Sequence, residues 1–148
     1  MGAMTQTRDA DQFAAMVRIG DSEEDPTSDE ALETLRLHVR EECWSSPPGR
    51  VIRRGLPVIA SHVGEGRGWF LLGVFTGETI DIPWPRAPHH ATHVGHEVRW
   101  MDGLFLGDAD AIPGAKGRHL RWLTRTEFSV ALRALTVDTD YSPLIAGR

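Results

Sequence analysis

The stretch that decides the fold is "LPVIASHVGEGRGWFLLGVFTG", residues 56–77. It contains two apolar runs, residues 56–63 and 68–77, which are joined by the glycine-rich segment "GEGRG". Glycine adopts the positive φ of tight turns without steric cost, and apolar runs bounded by turn residues are typical of buried strands. We therefore expect an antiparallel hairpin at the centre of a sheet.

Before this hairpin, the sequence predicts one strand and one helix. The apolar run "FAAMVRIG", residues 13–20, predicts a strand. Thr27 and Glu30 form a capping-box pattern, and Leu32, Leu35 and Val39 follow at helical spacing. This pattern predicts an amphipathic helix over residues 28–40.

After the hairpin, the sequence predicts two more strands and a closing helix. The segment "HEVRWMDGLFL", residues 96–106, predicts a third long strand, and "LRWL", residues 120–123, a shorter one. The last helix is expected to start near residues 124–126. Its apolar face would consist of Phe128, Ala131, Leu132 and Leu135.

The 148 residues, 41% apolar and 25% charged, suit one globular domain. Five to six strands with two to three helices predict an α+β fold, built as a strongly curved mixed sheet or a small barrel. We expect the domain to span residues 11–137. Residues 1–10 are expected to be disordered or vector-derived, and residues 138–148 to be a tail or the start of a linker.

Several classes of protein are disfavoured by the sequence. A single cysteine, Cys43, cannot form an internal disulfide, and no apolar run reaches the roughly 18 residues of a membrane helix. These features favour a cytoplasmic protein that does not bind a membrane. The chain has no Gly-x-Ser-x-Gly turn, and "GEGRG" lacks the lysine and the length of a phosphate-binding loop.

Charge is divided unevenly along the chain. Residues 1–43 contain 11 acidic and 4 basic residues, whereas residues 44–148 contain 10 acidic and 12 basic residues. The arginines of the second part cluster around residues 50–54 and 118–125. This pattern is compatible with a solvated surface and also with a phosphate-binding face.

The five tryptophans fall into two groups. Trp69, Trp100 and Trp122 lie in predicted strands, where core packing explains them. Trp44 and Trp84 instead lie in the proline-flanked segments "CWSSPP" and "IPWPRAP", which we expect to be loops. Either both indoles pack as lids over the core, or they face each other and hold a flat ligand between walls that the prolines stiffen.

The order of these segments resembles the YTH domain family of the PUA-like superfamily, which also contains the EVE and ASCH domains. The resemblance runs through "AMVRIGDS", a helix, "CWSSPPGRVI", "PVIASHVGEGRGWFLLGVF", "IPWPRAP", "HEVRW" and "LTRTEF", over about residues 14–135. It implies an aromatic cage for a flipped, methylated nucleobase. Departures from the family are the loop "HHATHVGH" and the acidic N-terminal part.

The resemblance assigns roles to individual residues. Trp44 and Trp84 would be two walls of the cage, with a third wall near Thr92 and Val94. The carbonyl of Ser45 would accept a hydrogen bond from the exocyclic amine of the base, and Asp21 would read the base edge. Arg125 would bind a phosphate. Independently of the resemblance, the clustered charge predicts that a groove beside the cage adds other arginines: Arg50, Arg53, Arg86, Arg118 and Arg121.

The resemblance therefore implies a binding module without a catalytic site, cofactor or metal. Its expected partner is methylated DNA, with RNA as an alternative, and a nuclease domain or subunit of a modification-dependent restriction system. N6-methyladenine is the first candidate base and 5-methylcytosine the second. An alternative is a small hydrolase of the ASCH kind that acts on a modified nucleoside, with Asp21, His62 or Glu65 as its base.

Four histidines close together are the main competing signal. His89, His93 and His96 would share one face of a helix and could bind zinc, with His90 beside them. The surrounding prolines and Gly95 argue against a helix there. We expect a polar loop near a phosphate instead of a metal site.

Overall fold

The computed structural model describes residues 12–19, 29–46, 52–63, 67–80, 94–101, 105–116 and 120–135. These ranges fall inside the predicted domain of residues 11–137, and residues 1–10 and 138–148 lie outside them. In chain order the elements are β1 (Ala14–Arg18), α1 (Asp29–Glu41), β2 (Cys43–Ser46), β3 (Pro57–Val63), β4 (Arg67–Ile80), β5 (Val94–Trp100), β6 (Phe105–Asp108), a 3₁₀ turn (Ala109–Ala111), β7 (Leu120–Leu123) and α2 (Arg125–Ala134).

The central hairpin is confirmed as an antiparallel pair of β3 and β4. Its register runs from Val63 opposite Gly68 to Pro57 opposite Val74. Both strands are almost completely buried along this register, because both faces of the sheet are covered. The continuous apolar runs in the sequence reflect this burial on two sides.

The order of strands in the sheet is β2-β5-β4-β3-β1-β7, and β6 also pairs with β4. β1 runs parallel to β3, since α1 and β2 lie between them in the chain and allow the return crossover that a parallel pair needs. β7 closes this side of the sheet in antiparallel pairing with β1.

The expected long strand over residues 96–106 is two strands in the structure. β5 pairs with the second half of β4 and β6 with its first residues. Four residues separate Trp100 from Phe105, whereas only two separate their partners Gly73 and Phe70. The ladder cannot continue through this mismatch, so the strand is interrupted.

β2 corrects the expectation that the segment around Trp44 is a loop. Cys43 lies opposite Glu97 and Ser46 opposite Val94 in an antiparallel pair with β5. A segment of four residues without alternation gives no strand signal by itself. Its conformation is set by pairing with β5, which the local sequence does not encode.

A contact between β2 and β1 indicates how the sheet bends. The indole Nε1 of Trp44 on β2 donates a hydrogen bond of 3.3 Å to the carbonyl of Arg18 at the end of β1. Three strands lie between β2 and β1 in the sheet, so a flat sheet would hold them about 19 Å apart. The contact therefore requires the sheet to curl around the side that carries Trp44, here called the concave face.

The closed barrel is not formed. Among the described residues, β2 and β7 are the ends of the strand order and do not pair with each other, so the sheet is open. The fold is α+β, with seven strands and two α-helices in the described part.

Apolar residues fill both faces of the sheet. The concave face buries Val17, Val58, Leu71, Phe75 and Trp100 together with Leu35 of α1. The opposite face buries residues of β1, β3 and β4 against α2, whose contribution is the predicted set Phe128, Ala131, Leu132 and Leu135. The sheet therefore forms the middle layer between the two helices.

The helix boundaries follow from local chemistry. Thr124 and Glu127 form a capping box, in which each side chain bonds the backbone N–H of the other, at 3.1 and 3.0 Å. This confirms the predicted start of α2. Of the predicted face of α1, Leu35 is fully buried and Leu32 and Val39 are half-buried. Neither described helix is long and apolar enough to cross a membrane.

Candidate nucleic-acid interface

Trp44, the first predicted wall of the cage, is buried. It lies on β2, two residues after Glu42, and its side chain is 1% exposed. Its ring meets that of Phe75 edge-on, with centroids 6.1 Å apart and 65° between the planes. The indole is thus packed in the concave core, as the lid interpretation describes, and its role as a cage wall stays a prediction.

His96 of β5 lies opposite Trp44 and stacks on it. The ring centroids are 5.5 Å apart and the planes make an angle of 25°. His96 is 4% exposed, and its burial lowers the pKa of the imidazole below the ordinary value of 6.5. The neutral ring is therefore the favoured form, and it stacks on Trp44 as a flat heteroaromatic group.

Of the histidine cluster, only His96 lies in the described residues, and it belongs to a strand. His89, His90 and His93 lie outside those residues. Among the described residues, no group of three or more histidine, cysteine, aspartate or glutamate side chains could hold a metal ion.

The β2–β5 pair brings together three predicted cage positions. Ser45 on β2 lies opposite Gly95, and Val94 on β5 lies opposite Ser46. The backbone of Ser45 and that of Val94 therefore flank the Trp44–His96 stack. The predicted cage residues Asp21, Trp84 and Thr92 lie outside the described residues. The structure thus groups Trp44, Ser45 and Val94 on two neighbouring strands.

Two of the predicted phosphate-binding arginines each contact a residue just before β1. The guanidinium group of Arg53 donates a hydrogen bond to the carbonyl of Gln12. The guanidinium carbon of Arg125 lies 5.5 Å from the ring centroid of Phe13. Because Gln12 and Phe13 are consecutive, two exposed cations lie on one short segment of backbone.

Arg121 is the third predicted phosphate-binding arginine in the described residues. Its guanidinium group forms an ion pair of 2.8 Å with Glu127, so its charge is partly compensated. Arg50, Arg86 and Arg118 lie outside the described residues.

Three further tryptophans, Trp69, Trp100 and Trp122, and His62 also lie on the concave face. Trp100 is 7% exposed, and its Nε1 donates to the carbonyl of Cys43 at 3.3 Å, so the core role expected of it is confirmed. Trp69 and Trp122 are half-buried and pack against the same core. His62 lies opposite Trp69 in the hairpin and is fully buried.

Sequence reasoning missed one feature of Trp69. Its Nε1 atom is buried and has no hydrogen-bond partner among the described residues. The sequence does hold a signal for the pair, because the short glycine-rich segment that follows Val63 sets the register that places Trp69 opposite His62. It holds no signal for the missing partner, which depends on the fold around the ring.

Cys43 and His62 give little support to hydrolysis. Burial, with a smaller contribution from Glu41, raises the pKa of the Cys43 thiol to about 12, so the thiolate is scarce at neutral pH. His62, one candidate base of the hydrolase alternative, is fully buried. The other two candidates, Asp21 and Glu65, lie outside the described residues.

Comparison with protein-family models, with curated proteins and with solved structures gives no match. The likeness to the YTH domain family therefore depends on the order of the sequence motifs alone.

Proposed function

We propose that the chain is a nucleic-acid-binding module that reads a methylated nucleobase in a flipped-out state and has no catalysis of its own. DNA is the first candidate target and RNA the second. N6-methyladenine is placed before 5-methylcytosine, as the resemblance implies. In this proposal a separate nuclease domain or subunit acts on the bound site.

The observation that carries the proposal is the stack of His96 on Trp44. Base readers place a flat heterocycle against an aromatic side chain, and such stacking contributes about 1 to 3 kcal/mol per base. The separation of 5.5 Å and the angle of 25° are those of a stacked pair. The concave side of this sheet therefore already accommodates a heteroaromatic ring on the indole that the sequence singles out.

The two cations at the start of β1 support the same proposal. A reader also uses positive charge, because contacts to phosphates supply affinity and orientation and the pocket supplies specificity. These two cations lie about 15 to 20 Å along β1 from Arg18, whose carbonyl Trp44 binds. Arg53 and Arg125 lie beside the adjacent residues Gln12 and Phe13 and are both exposed. Together they provide two positively charged side chains for contact with a nucleic-acid backbone.

Fluorescence-anisotropy titrations test the proposal directly. Four sets of oligonucleotides of one sequence, DNA and RNA, each with and without a single methyl group, would be titrated at fixed salt. We expect tighter binding to a methylated strand, by severalfold, because a buried methyl group contributes about 0.8 kcal/mol and a fitted cage adds to it. Equal affinity for methylated and unmethylated strands would rule out the reader.

A further inference from the structure

Trp69 has a buried hydrogen-bond donor without an acceptor in the part of the chain that the structure describes. An indole N–H can only donate, and a buried donor without an acceptor destabilises a folded protein. Native proteins retain few such groups, so each one calls for a physical explanation. The Nε1 of Trp69 is one of them, on a ring that is only half-buried and lies at the margin of the concave core.

Register and hydrogen bonding place this donor near Trp44. Trp44 Nε1 binds the carbonyl of Arg18, and Arg18 lies opposite Ser61 in the β1–β3 ladder. The next residue of β3 is His62, which lies opposite Trp69. The backbone of Arg18, whose carbonyl Trp44 binds, is thus one strand spacing and one residue from His62, and one further strand spacing from Trp69, about 10 Å in all. The side chains of Trp44, His62 and Trp69 belong to the same face.

We propose that the Nε1–H of Trp69 donates a hydrogen bond to an acceptor atom on the bound base, either an unprotonated ring nitrogen or a carbonyl oxygen. This inference depends on the proposed function and adds a specificity-determining residue to it. The donor has no acceptor within the described part of residues 12–135, and in this proposal it becomes paired when the base enters. Trp69 then selects bases by the acceptor they present, whereas Trp44 provides stacking.

A matched pair of variants tests the role of Trp69. Trp69→Phe keeps an aromatic ring and removes the N–H, and Trp122→Phe is the control because Trp122 is also half-buried against the same core. Trp69→Phe should weaken binding of the preferred methylated oligonucleotide about three- to tenfold, as expected for one lost hydrogen bond. Trp122→Phe should leave that affinity unchanged. Because Nε1 bonds no described residue, the denaturation midpoint of Trp69→Phe should fall no further than that of Trp122→Phe.

Base analogues give a second test, whose first measurement uses only the wild-type protein. Oligonucleotides that carry 1-deaza, 3-deaza or 7-deaza N6-methyladenine each lack one ring acceptor. One analogue should bind the wild-type protein about three- to tenfold more weakly than N6-methyladenine does, and should show no further loss with Trp69→Phe.

The outcomes separate the inference from the proposed function. If the wild-type protein prefers the methylated strand but all three analogues bind like N6-methyladenine, the role of Trp69 is wrong and the reader stands. The same conclusion follows if Trp69→Phe binds the methylated strand as tightly as Trp122→Phe does. If the wild-type protein shows no methyl preference, the reader is wrong, and the assignment of Trp69 is overturned with it.

Discussion

At the scale of single residues, the burial of Trp44 means that a substitution there changes stability as well as any base binding. An indole that is 1% exposed contributes to folding, so Trp44→Ala should cost about 3 to 5 kcal/mol of stability whether or not it binds a base. From the sequence, Trp44 is one of two tryptophans that packing within a predicted strand does not explain. The sequence could not predict the burial, because the curl of the sheet that encloses Trp44 arises from contacts between β2 and β1.

Trp44→Phe and Trp100→Phe separate base binding from stability. Both side chains are buried in the concave core, and each indole N–H is bonded to a backbone carbonyl. We expect both variants to lower the melting temperature, by loss of volume and of one hydrogen bond. Only Trp44→Phe should also reduce the ratio of affinities for methylated and unmethylated strands, measured well below the melting temperature. Equal ratios in the two variants would assign Trp44 to the core alone.

His96 should make stability depend on pH. Burial lowers its folded-state pKa below 6.5, so below that pH the unfolded chain takes up a proton that the folded chain resists. Its contribution to stability is thus fully present above pH 6.5 and decreases as the pH falls toward the folded-state pKa. Urea midpoints measured between about pH 7.5 and 5.5 should fall less steeply for His96→Gln than for the wild type. Parallel curves would show that burial does not shift this group.

At the scale of elements, the sequence predicted best where local chemistry decides the structure. The β3–β4 hairpin follows from two apolar runs and a glycine-rich turn, and α2 begins where Thr124 and Glu127 form their capping box. β2 was missed because Cys43–Ser46 is a strand only through its partner β5. Local sequence specifies turns and caps, whereas edge pairing depends on residues far away in the chain.

The end of α1 offers a prediction about one element. Glu42 has a φ of 51°, a left-handed conformation that is strained for residues other than glycine. It occupies the position after the helix where glycine is usual, and its carbonyl accepts a bond of 2.8 Å from the N–H of Val98. Glu42→Gly should therefore stabilise the protein by about 0.5 to 1 kcal/mol.

Glu41→Gly is the matched control for this prediction. Glu41 is the last residue of α1 and is also exposed, so glycine there should destabilise by up to about 1 kcal/mol. Urea denaturation would give both values. A loss of stability with Glu42→Gly would mean that the side chain of Glu42 contributes more than its backbone strain costs.

At the scale of the whole molecule, the candidate site depends on long-range contacts. The motif order of the sequence pointed to Trp44 and Arg125, which lie on elements separated by most of the chain. What the sequence could not provide is the juxtaposition of Arg53 and Arg125 on the Gln12–Phe13 segment. That proximity arises because β1 lies between β3 and β7 in the sheet.

This charge arrangement leads to a prediction about salt. If Arg53 and Arg125 each neutralise one phosphate, Arg53→Gln and Arg125→Gln should each reduce the slope of log affinity against log salt by about 0.7 to 0.9. Glutamine keeps most of the side-chain length and removes the charge. Arg121→Gln is the control, because its partner Glu127 already compensates that cation and its loss should change the slope less.

The same titrations show whether Arg53 and Arg125 bind only the phosphate backbone of the nucleic acid. A phosphate contact cannot read a base, so both substitutions should weaken methylated and unmethylated strands by the same factor and leave their ratio intact. Trp44→Phe should do the reverse, lowering the ratio with little effect on the salt slope, since a stacked base carries no charge. A methyl preference that falls as far with Arg125→Gln as with Trp44→Phe would mean that Arg125 belongs to the base pocket, and the division between a stacking wall and a phosphate-binding edge would be wrong.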